Sequence, residues 1–174
     1  PYSPIEATTR TVPKSNKAVA DRQLAGFTVR LYDVVMKITE LLPHRDPFLF
    51  VDEIEESTDE RVVGVRTFRR DEPFFVGHFP QYPVVPGVIL VEALAQCGGA
   101  GVKQSGAIGD KLFFLASVTN VKLRRQVRPD ETVRLEVENL RISPRMLKQK
   151  GRALVDGEVA CEAEWMCLVG DAPQ

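Results

Sequence analysis

A histidine in a short aromatic segment is the first side chain of this sequence that is suited to chemistry. His78 follows the letters FFVG and precedes Phe79 and Pro80. A neutral imidazole in apolar surroundings is a competent general base, because burial disfavours the imidazolium. The alternative is a hydrogen-bonded core histidine with no part in chemistry, and one histidine alone does not separate the two.

A carboxyl group on the apolar stretch that follows can supply the matching acid. Glu92 is the only acidic residue between Gly77 and Asp110. An unpaired buried carboxylate is costly, so Glu92 either stays protonated or meets a specific partner, and both suit a general acid. Gln96 lies one helical turn later and can orient this carboxyl group. The alternative is a glutamate that points into a solvent gap.

The pair Pro86-Gly87 marks the predicted start of a helix. Backbone N–H groups at a helix start are free to receive a developing oxyanion, and glycine lets a ligand approach closely. A base at His78, an acid at Glu92 and an oxyanion site at the helix start suit removal of a proton beside a thioester carbonyl with loss of a 3-hydroxyl group. Such a reaction needs no nucleophile or cofactor. A dimer can supply the base and the acid from opposite subunits.

The elements that must position these residues are a stiff loop, a buried helix and several strands. Prolines mark a loop over residues 71–86, and apolar residues around the whole circumference of residues 87–103 predict a buried helix. Apolar residues at helical spacing predict a leading helix over residues 28–42. Strands are predicted over residues 48–54, 61–68, 112–125, 131–142, 146–155 and 158–169, with a tight turn at Asp156-Gly157.

These elements predict an α+β fold, in which an antiparallel sheet of about six strands wraps around one long central helix. We expect residues 27–174 to form a single domain that follows a flexible N-terminal extension, residues 1–26. Such a sheet leaves edge strands, so the pairing of two subunits would complete it.

The composition is that of an ordinary globular protein rather than a nucleic-acid-binding one. Of the 174 residues, 44% are apolar and 27% are charged, with a net charge of -1. An acid and an amide interrupt the longest apolar run, residues 84–102, so we expect no membrane span. The three cysteines, Cys97, Cys161 and Cys167, lack CxxC spacing, which favours buried thiols in a reducing compartment.

The two histidines have no nearby cysteine or histidine at ligand spacing, so we expect no metal site. Residues 1–26 lack the apolar region of a secretory signal, and we expect a cytoplasmic protein. If this extension is the remnant of a transit peptide, a plastid-type organelle is the alternative location.

Five motifs together resemble those of one enzyme family. They are LPHRDPFL at residues 42–49, GHFP at 77–80, Pro83, PGV at 86–88 and EALAQ at 92–96. Over about residues 37–169 the chain resembles the FabZ-type (3R)-hydroxyacyl-acyl-carrier-protein dehydratases. The combined pattern of loop and helix is more specific than any of its parts.

The resemblance implies a hotdog fold, a homodimer as the smallest active unit and larger trimers of dimers. It implies dehydration of (3R)-3-hydroxyacyl-acyl carrier protein to the trans-2-enoyl thioester in type II fatty-acid biosynthesis, without a cofactor. By the same resemblance, His78 and Glu92 are catalytic and come from different subunits, Gly87 donates its backbone N–H to the thioester carbonyl, and Gln96 supports the site. Phe79 can line an acyl channel, although aromatic residues more often fill a core.

For a basic stretch and a second histidine, the sequence gives weaker evidence of a functional role. Lys122, Arg124, Arg125 and Arg128 can attract an acidic carrier protein, and the alternative is an ordinary solvated strand face. For His44, the flanking prolines and a neighbouring arginine predict a structural loop hydrogen bond rather than catalysis.

Two other functions compete with dehydration. A thioesterase on the same fold is the nearest alternative, because His78 can also activate water against a thioester, with release of a free thiol. A non-enzymatic acyl-thioester sensor is the other, but residues 1–26 have neither the length of a helix-turn-helix nor a concentrated basic face.

Overall fold

The described part of the chain, residues 20–24, 27–31 and 36–171 of a computed structural model, contains eight strands and three helices. In chain order these are β1 (Ala20–Leu24), β2 (Phe27–Leu31), α1 (Ile38–Leu41), β3 (Glu53–Ser57), β4 (Arg61–Thr67), α2 (Pro73–His78), α3 (Gly87–Gln104), β5 (Leu112–Leu123), β6 (Thr132–Ser143), β7 (Met146–Val155) and β8 (Glu158–Gly170). Most of the predicted extension, residues 1–26, lies outside this part of the chain.

One antiparallel sheet surrounds helix α3. Its strands follow the order β3-β4-β6-β7-β8-β5, and α3 contacts all six of them. Leu94 of the helix lies in one buried cluster with Leu135 and Trp165 of the sheet. The predicted α+β architecture is therefore confirmed, and a sheet of this kind around one long helix is the hotdog arrangement.

Two glycines allow α3 to pack closely on the sheet. A Cβ atom at Gly98 would collide with the side chain of Gln149, and one at Gly101 would collide with Val62. The small residues of this helix therefore have a packing role. Among the described residues, no helix is both long and apolar enough to cross a membrane.

Five of the six predicted strands agree with the structure to within about two residues at each end. The predicted tight turn between β7 and β8 is also confirmed, because Asp156 and Gly157 have φ angles of 52° and 81°. Positive φ at both central positions is the requirement of a type I′ turn. The three cysteines are buried and free, as predicted.

The predicted leading helix over residues 28–42 is wrong at its start. Phe27–Leu31 forms β2, which pairs with β1 in an antiparallel hairpin outside the main sheet. Apolar residues at positions 27, 29 and 31 alternate with polar ones, so the same letters also satisfy the period of a strand. Within the described part of that span, only the single turn Ile38–Leu41 is helical.

The predicted strand over residues 48–54 is also wrong at its start, because β3 begins only at Glu53. Helix α3 binds the stretch before it. Phe50 N donates to Gln96 Oε1 at 2.8 Å, and Gln96 Nε2 donates to Phe48 O at 3.1 Å. A buried side-chain amide thus satisfies backbone groups that a neighbouring strand would otherwise bind.

Strand β5 is a sheet edge with unusual apolar exposure. Among the described strands it pairs only with β8, and all twelve of its residues are at least partly exposed. Its exposed large apolar side chains are Phe114, Leu115, Val118, Val121 and Leu123. An unpaired edge that carries such side chains is a template for pairing with another chain.

Candidate active site

Helix α2 carries His78, in a stretch that was predicted to be an irregular loop. That prediction is wrong for Pro73–His78. Pro73 occupies the first turn, where a missing N–H group is tolerated, so a proline that usually signals a break here begins a helix. His78 lies in the last turn of this helix.

A backbone carbonyl determines the tautomer of His78. Nδ1 of His78 lies 3.2 Å from the oxygen of Val84. Because a carbonyl oxygen only accepts, Nδ1 donates its proton and Nε2 keeps a free lone pair. The next residue fixes this carbonyl in turn, since Val85 N donates to Val127 O at 2.8 Å. The half-buried imidazole therefore has the form that a general base requires.

Glu92 projects from α3 into the neighbourhood of the segment before β3. Its side chain is 23% exposed. Gln96 Nε2 donates to Glu92 Oε1 at 3.0 Å, so the predicted contact between these two residues is present. Because the same amide also binds Phe48 O and accepts from Phe50 N, Gln96 ties the carboxyl group to a rigid backbone.

Replacing Gln96 with leucine is expected to lower the free energy of unfolding by roughly 1–3 kcal/mol, because buried backbone groups lose their partner. Turnover should fall as well, since Glu92 loses the donor that orients it. Urea unfolding and a steady-state assay measure the two effects. The control is Lys148→Leu at an exposed position, where the change should stay within about 0.5 kcal/mol. Equal losses of stability and turnover in the two variants would contradict the role of Gln96 in binding the backbone and orienting Glu92.

The first turn of α3 presents free backbone donors. Ile89 N donates to Pro86 O at 2.9 Å, so the amides of Gly87 and Val88 precede the helical ladder. A Cβ atom on Gly87 would collide with Leu123 of β5. Glycine at this position thus has a packing reason in addition to the predicted one, which is close approach of a ligand.

An apolar cavity of about 500 Å³ lies beside the loop after His78, and its lining includes Phe79 and Tyr82. Phe79 is 53% exposed, and its ring centroid lies 4.0 Å from that of His78. A larger depression of about 950 Å³ lies elsewhere and is lined mainly by charged side chains of the sheet, such as Glu136 and Arg152. Neither His78 nor Glu92 lines either depression, but the smaller one begins at Phe79, the residue directly after His78, and its apolar lining matches an acyl chain.

The four basic residues of the predicted carrier-binding stretch differ in their surroundings. Arg124 and Arg125 each donate to a glutamate, at 2.9 and 2.8 Å, which reduces the positive charge they present. Arg128 Nη2 donates to the hydroxyl of Tyr82 at 2.6 Å, beside the apolar cavity. Lys122 borders the charged depression.

A buried group of charges anchors the start of α2. Arg66 Nη2 donates to a carboxylate oxygen of Glu72, the residue before the helix, and Arg66 Nη1 donates to Asp52 Oδ1 at 2.7 Å. The side chains of Arg66 and Glu72 are only 4% and 5% exposed. The position of the helix that carries His78 therefore depends on this ion pair.

His44 is a neighbour of Glu92. The sequence predicts a structural loop hydrogen bond for His44 rather than a part in catalysis. Its Nε2 lies 3.8 Å from Glu92 Oε1. Its Nδ1 is buried, and within the part of the chain that the structure describes it has no hydrogen-bond partner, so the expected loop hydrogen bond from this nitrogen is not found there.

His78 and Glu92 have different hydrogen-bond partners within one chain. Among the residues that the structure describes, no hydrogen bond or ion pair joins them. His78 is bound to Val84, whereas Glu92 faces Gln96 and His44. Within one chain, the candidate base His78 and the candidate acid Glu92 are therefore oriented separately, by Val84 and by Gln96.

Comparisons with known proteins identify the family. A family model described as a FabA-like domain matches residues 42–164. The 3-hydroxyacyl-[acyl-carrier-protein] dehydratase FabZ of Geobacillus thermodenitrificans is 46% identical over 140 residues, which cover 80% of this chain and 97% of that protein. This chain belongs to the FabZ dehydratase family. The FabZ dehydratase of Clostridium perfringens is 44% identical over 136 residues, 78% of this chain and 98% of that relative. The family resemblance seen in the motifs is confirmed.

Solved structures share the fold of this FabZ family member. A chain of the dehydratase heterocomplex ApeI:P from Xenorhabdus doucetiae aligns with a TM-score of 0.69 at 18% identity, covering 78% of this chain and 92% of that chain. A hypothetical thioesterase with coenzyme A from Streptococcus pneumoniae aligns with a TM-score of 0.54 at 15% identity, covering 70% and 88%. At such identities the likeness establishes the hotdog fold, which dehydratases and thioesterases have in common.

Proposed function

We propose that this protein dehydrates 3-hydroxyacyl thioesters of acyl carrier protein to 2-enoyl thioesters in fatty-acid biosynthesis. The names of its FabZ relatives support the substrate class. The observation that carries the proposal is the pair of groups that the fold prepares, a histidine with a free Nε2 lone pair and a carboxyl group oriented by an amide. Removal of water from a 3-hydroxyacyl chain needs one base and one acid of this kind.

In the proposed reaction, Nε2 of His78 takes a proton from C2 of the substrate. The thioester oxygen gains negative charge and accepts a hydrogen bond from the N–H of Gly87. Glu92 donates a proton to the C3 hydroxyl group, which leaves as water while the C2–C3 double bond forms. The imidazolium then releases its proton and Glu92 regains one from solvent, so the cycle closes without a cofactor.

We infer that the active unit is a dimer built on the edge strand β5. A Cβ at Gly87 would meet Leu123 at one end of β5, and a Cβ at Gly99 would meet Phe113 at the other, so this strand runs along the whole of α3. A second copy paired with β5 would cover its exposed apolar side chains and the neighbouring start of α3. Val88, which is 77% exposed, lies in the region that this partner would cover.

A shared site follows from this arrangement, with His78 from one subunit and Glu92 from the other. Within the described part of one chain no hydrogen bond or ion pair joins the two residues, which supports a shared site. A trimer of such dimers is the larger assembly that the family resemblance implies. For carrier-protein docking we favour Arg128, because it lies beside the apolar cavity. The bacterial sources of the named relatives support a cytoplasmic rather than a plastid location.

The product of the reaction tests the proposed function. Purified protein is mixed with 3-hydroxybutyryl-acyl carrier protein while enoyl-thioester absorbance and free thiol are followed in parallel. We expect the conjugated absorbance to rise without release of thiol. Thiol release without that absorbance would identify a thioesterase instead, and no change in either signal would support a binding protein.

A further inference from the structure

His44 lies at the edge of the candidate site, on the segment that leads from α1 to β3. Its Nε2 lies 3.8 Å from Glu92 Oε1, and the two side chains are 30% and 23% exposed. This separation is longer than a hydrogen bond, but it is short enough for a partly buried dipole to act on the carboxyl group. Gln96 Nε2 reaches the same oxygen at 3.0 Å.

The surroundings of the His44 ring favour one tautomer. Nδ1 is buried and has no hydrogen-bond partner among the described residues, so a proton on it would be a buried donor without an acceptor there. A proton on Nε2 faces the carboxylate oxygen of Glu92. Burial lowers the pKa of His44, an effect that Glu92 opposes and Arg45 reinforces, so the ring is neutral at neutral pH. His44 therefore presents an N–H group to Glu92.

The backbone around His44 is held in place. Arg45 Nη1 donates to the carbonyl oxygens of Leu42 and His44, at 2.8 and 2.6 Å. The His44 ring stacks on Phe48 at a centroid distance of 6.2 Å, and the carbonyl of Phe48 is bound by Gln96. The ring and the amide that flank Glu92 thus belong to one connected structure.

We propose that His44 is a positioning residue for Glu92. His44 and Gln96 both direct N–H groups at Oε1, which leaves Oε2 as the oxygen that carries the transferable proton. The carboxyl group is thereby fixed with its acidic hydrogen on the side away from both donors. This inference rests on the proposed role of Glu92 as the acid of the dehydration.

The test compares His44→Gln with His44→Met, because glutamine and methionine have similar size and only glutamine keeps an N–H donor. On carrier-bound substrate, we expect kcat of the Met variant to fall by about 10- to 100-fold with little change in KM. The Gln variant should stay within roughly threefold of the wild-type kcat. Equal losses in the two variants, or a Met variant with normal kcat, would overturn the proposal.

A double-mutant cycle with Glu92→Gln separates positioning from a general effect on the fold. If His44 acts through Glu92, His44→Met adds little to the loss already caused by Glu92→Gln, whereas additive losses contradict the inference. Wild-type protein in the same assay distinguishes a failure of the proposed dehydration from a failure of the proposed role of His44. An inactive wild type removes the proposed function itself, but an active wild type with a normal His44→Met variant removes only the role of His44.

Discussion

Replacing His78 with alanine or Glu92 with glutamine is expected to reduce the rate of dehydration by roughly 10²–10⁴-fold. The alanine variant lacks the Nε2 lone pair that would take the C2 proton. The glutamine variant keeps the size of Glu92 and an oxygen that can accept from Gln96, but it has no proton acidic enough to give to a hydroxyl group. The loss should therefore fall on chemistry rather than on folding.

Initial rates with carrier-bound substrate, together with thermal unfolding, measure these two effects. Glu138→Gln is the matched control for the acid, because this exposed glutamate forms an ion pair with Lys150 on the sheet. We expect its turnover to equal that of the wild type. A Glu92→Gln variant that retains wild-type turnover would remove Glu92 from the mechanism, even if His78 remained essential.

The second large effect is expected at Arg66, whose replacement with methionine should lower the free energy of unfolding by roughly 3–5 kcal/mol. The buried guanidinium is bound to Asp52 and Glu72, and it lies over the ring of Phe68 at 5.5 Å from the ring centroid. Without it, the carboxylate of Glu72 stays buried and unpaired. Activity should fall too, because Glu72 immediately precedes the helix that carries His78.

Urea unfolding monitored by the fluorescence of Trp165, the single tryptophan, measures this loss of stability. Arg61→Met is the control, since Arg61 forms an exposed ion pair with Glu136 whose removal should cost about 0–1 kcal/mol. Similar losses in the free energy of unfolding for the two variants would show that burial of the Arg66 charge does not determine how much Arg66 stabilises the fold.

The main fold was predictable because each of its signals is local. The alternating polarity of the long strands, the turn at Asp156-Gly157 and the apolar helix 87–103 need no knowledge of distant partners. Together they required a sheet around a central helix, and the structure has one. The contact between Gln96 and Glu92 was predictable for the same reason, since residues four apart on a helix share a face.

The parts that could not be predicted depend on contacts between segments far apart in the chain. The stretch before β3 is apolar like a strand, but the side chain of Gln96 takes the hydrogen bonds that would make it one. Phe27–Leu31 fits a helix and a strand equally well by pattern, and only its pairing with β1 decides between them. The position of His44 against Glu92 likewise depends on how this stretch folds over α3.

Mixing the two inactive variants shows whether His78 and Glu92 from opposite subunits form one dehydration site. A heterodimer of His78→Ala and Glu92→Gln subunits would have one site with both replacements and one site with neither. If the site is shared, purified heterodimers should recover about half of the wild-type turnover, although each homodimer is inactive. If each chain builds its own site, both sites of the heterodimer lack a catalytic residue, and a heterodimer as inactive as the homodimers would rule out a shared site.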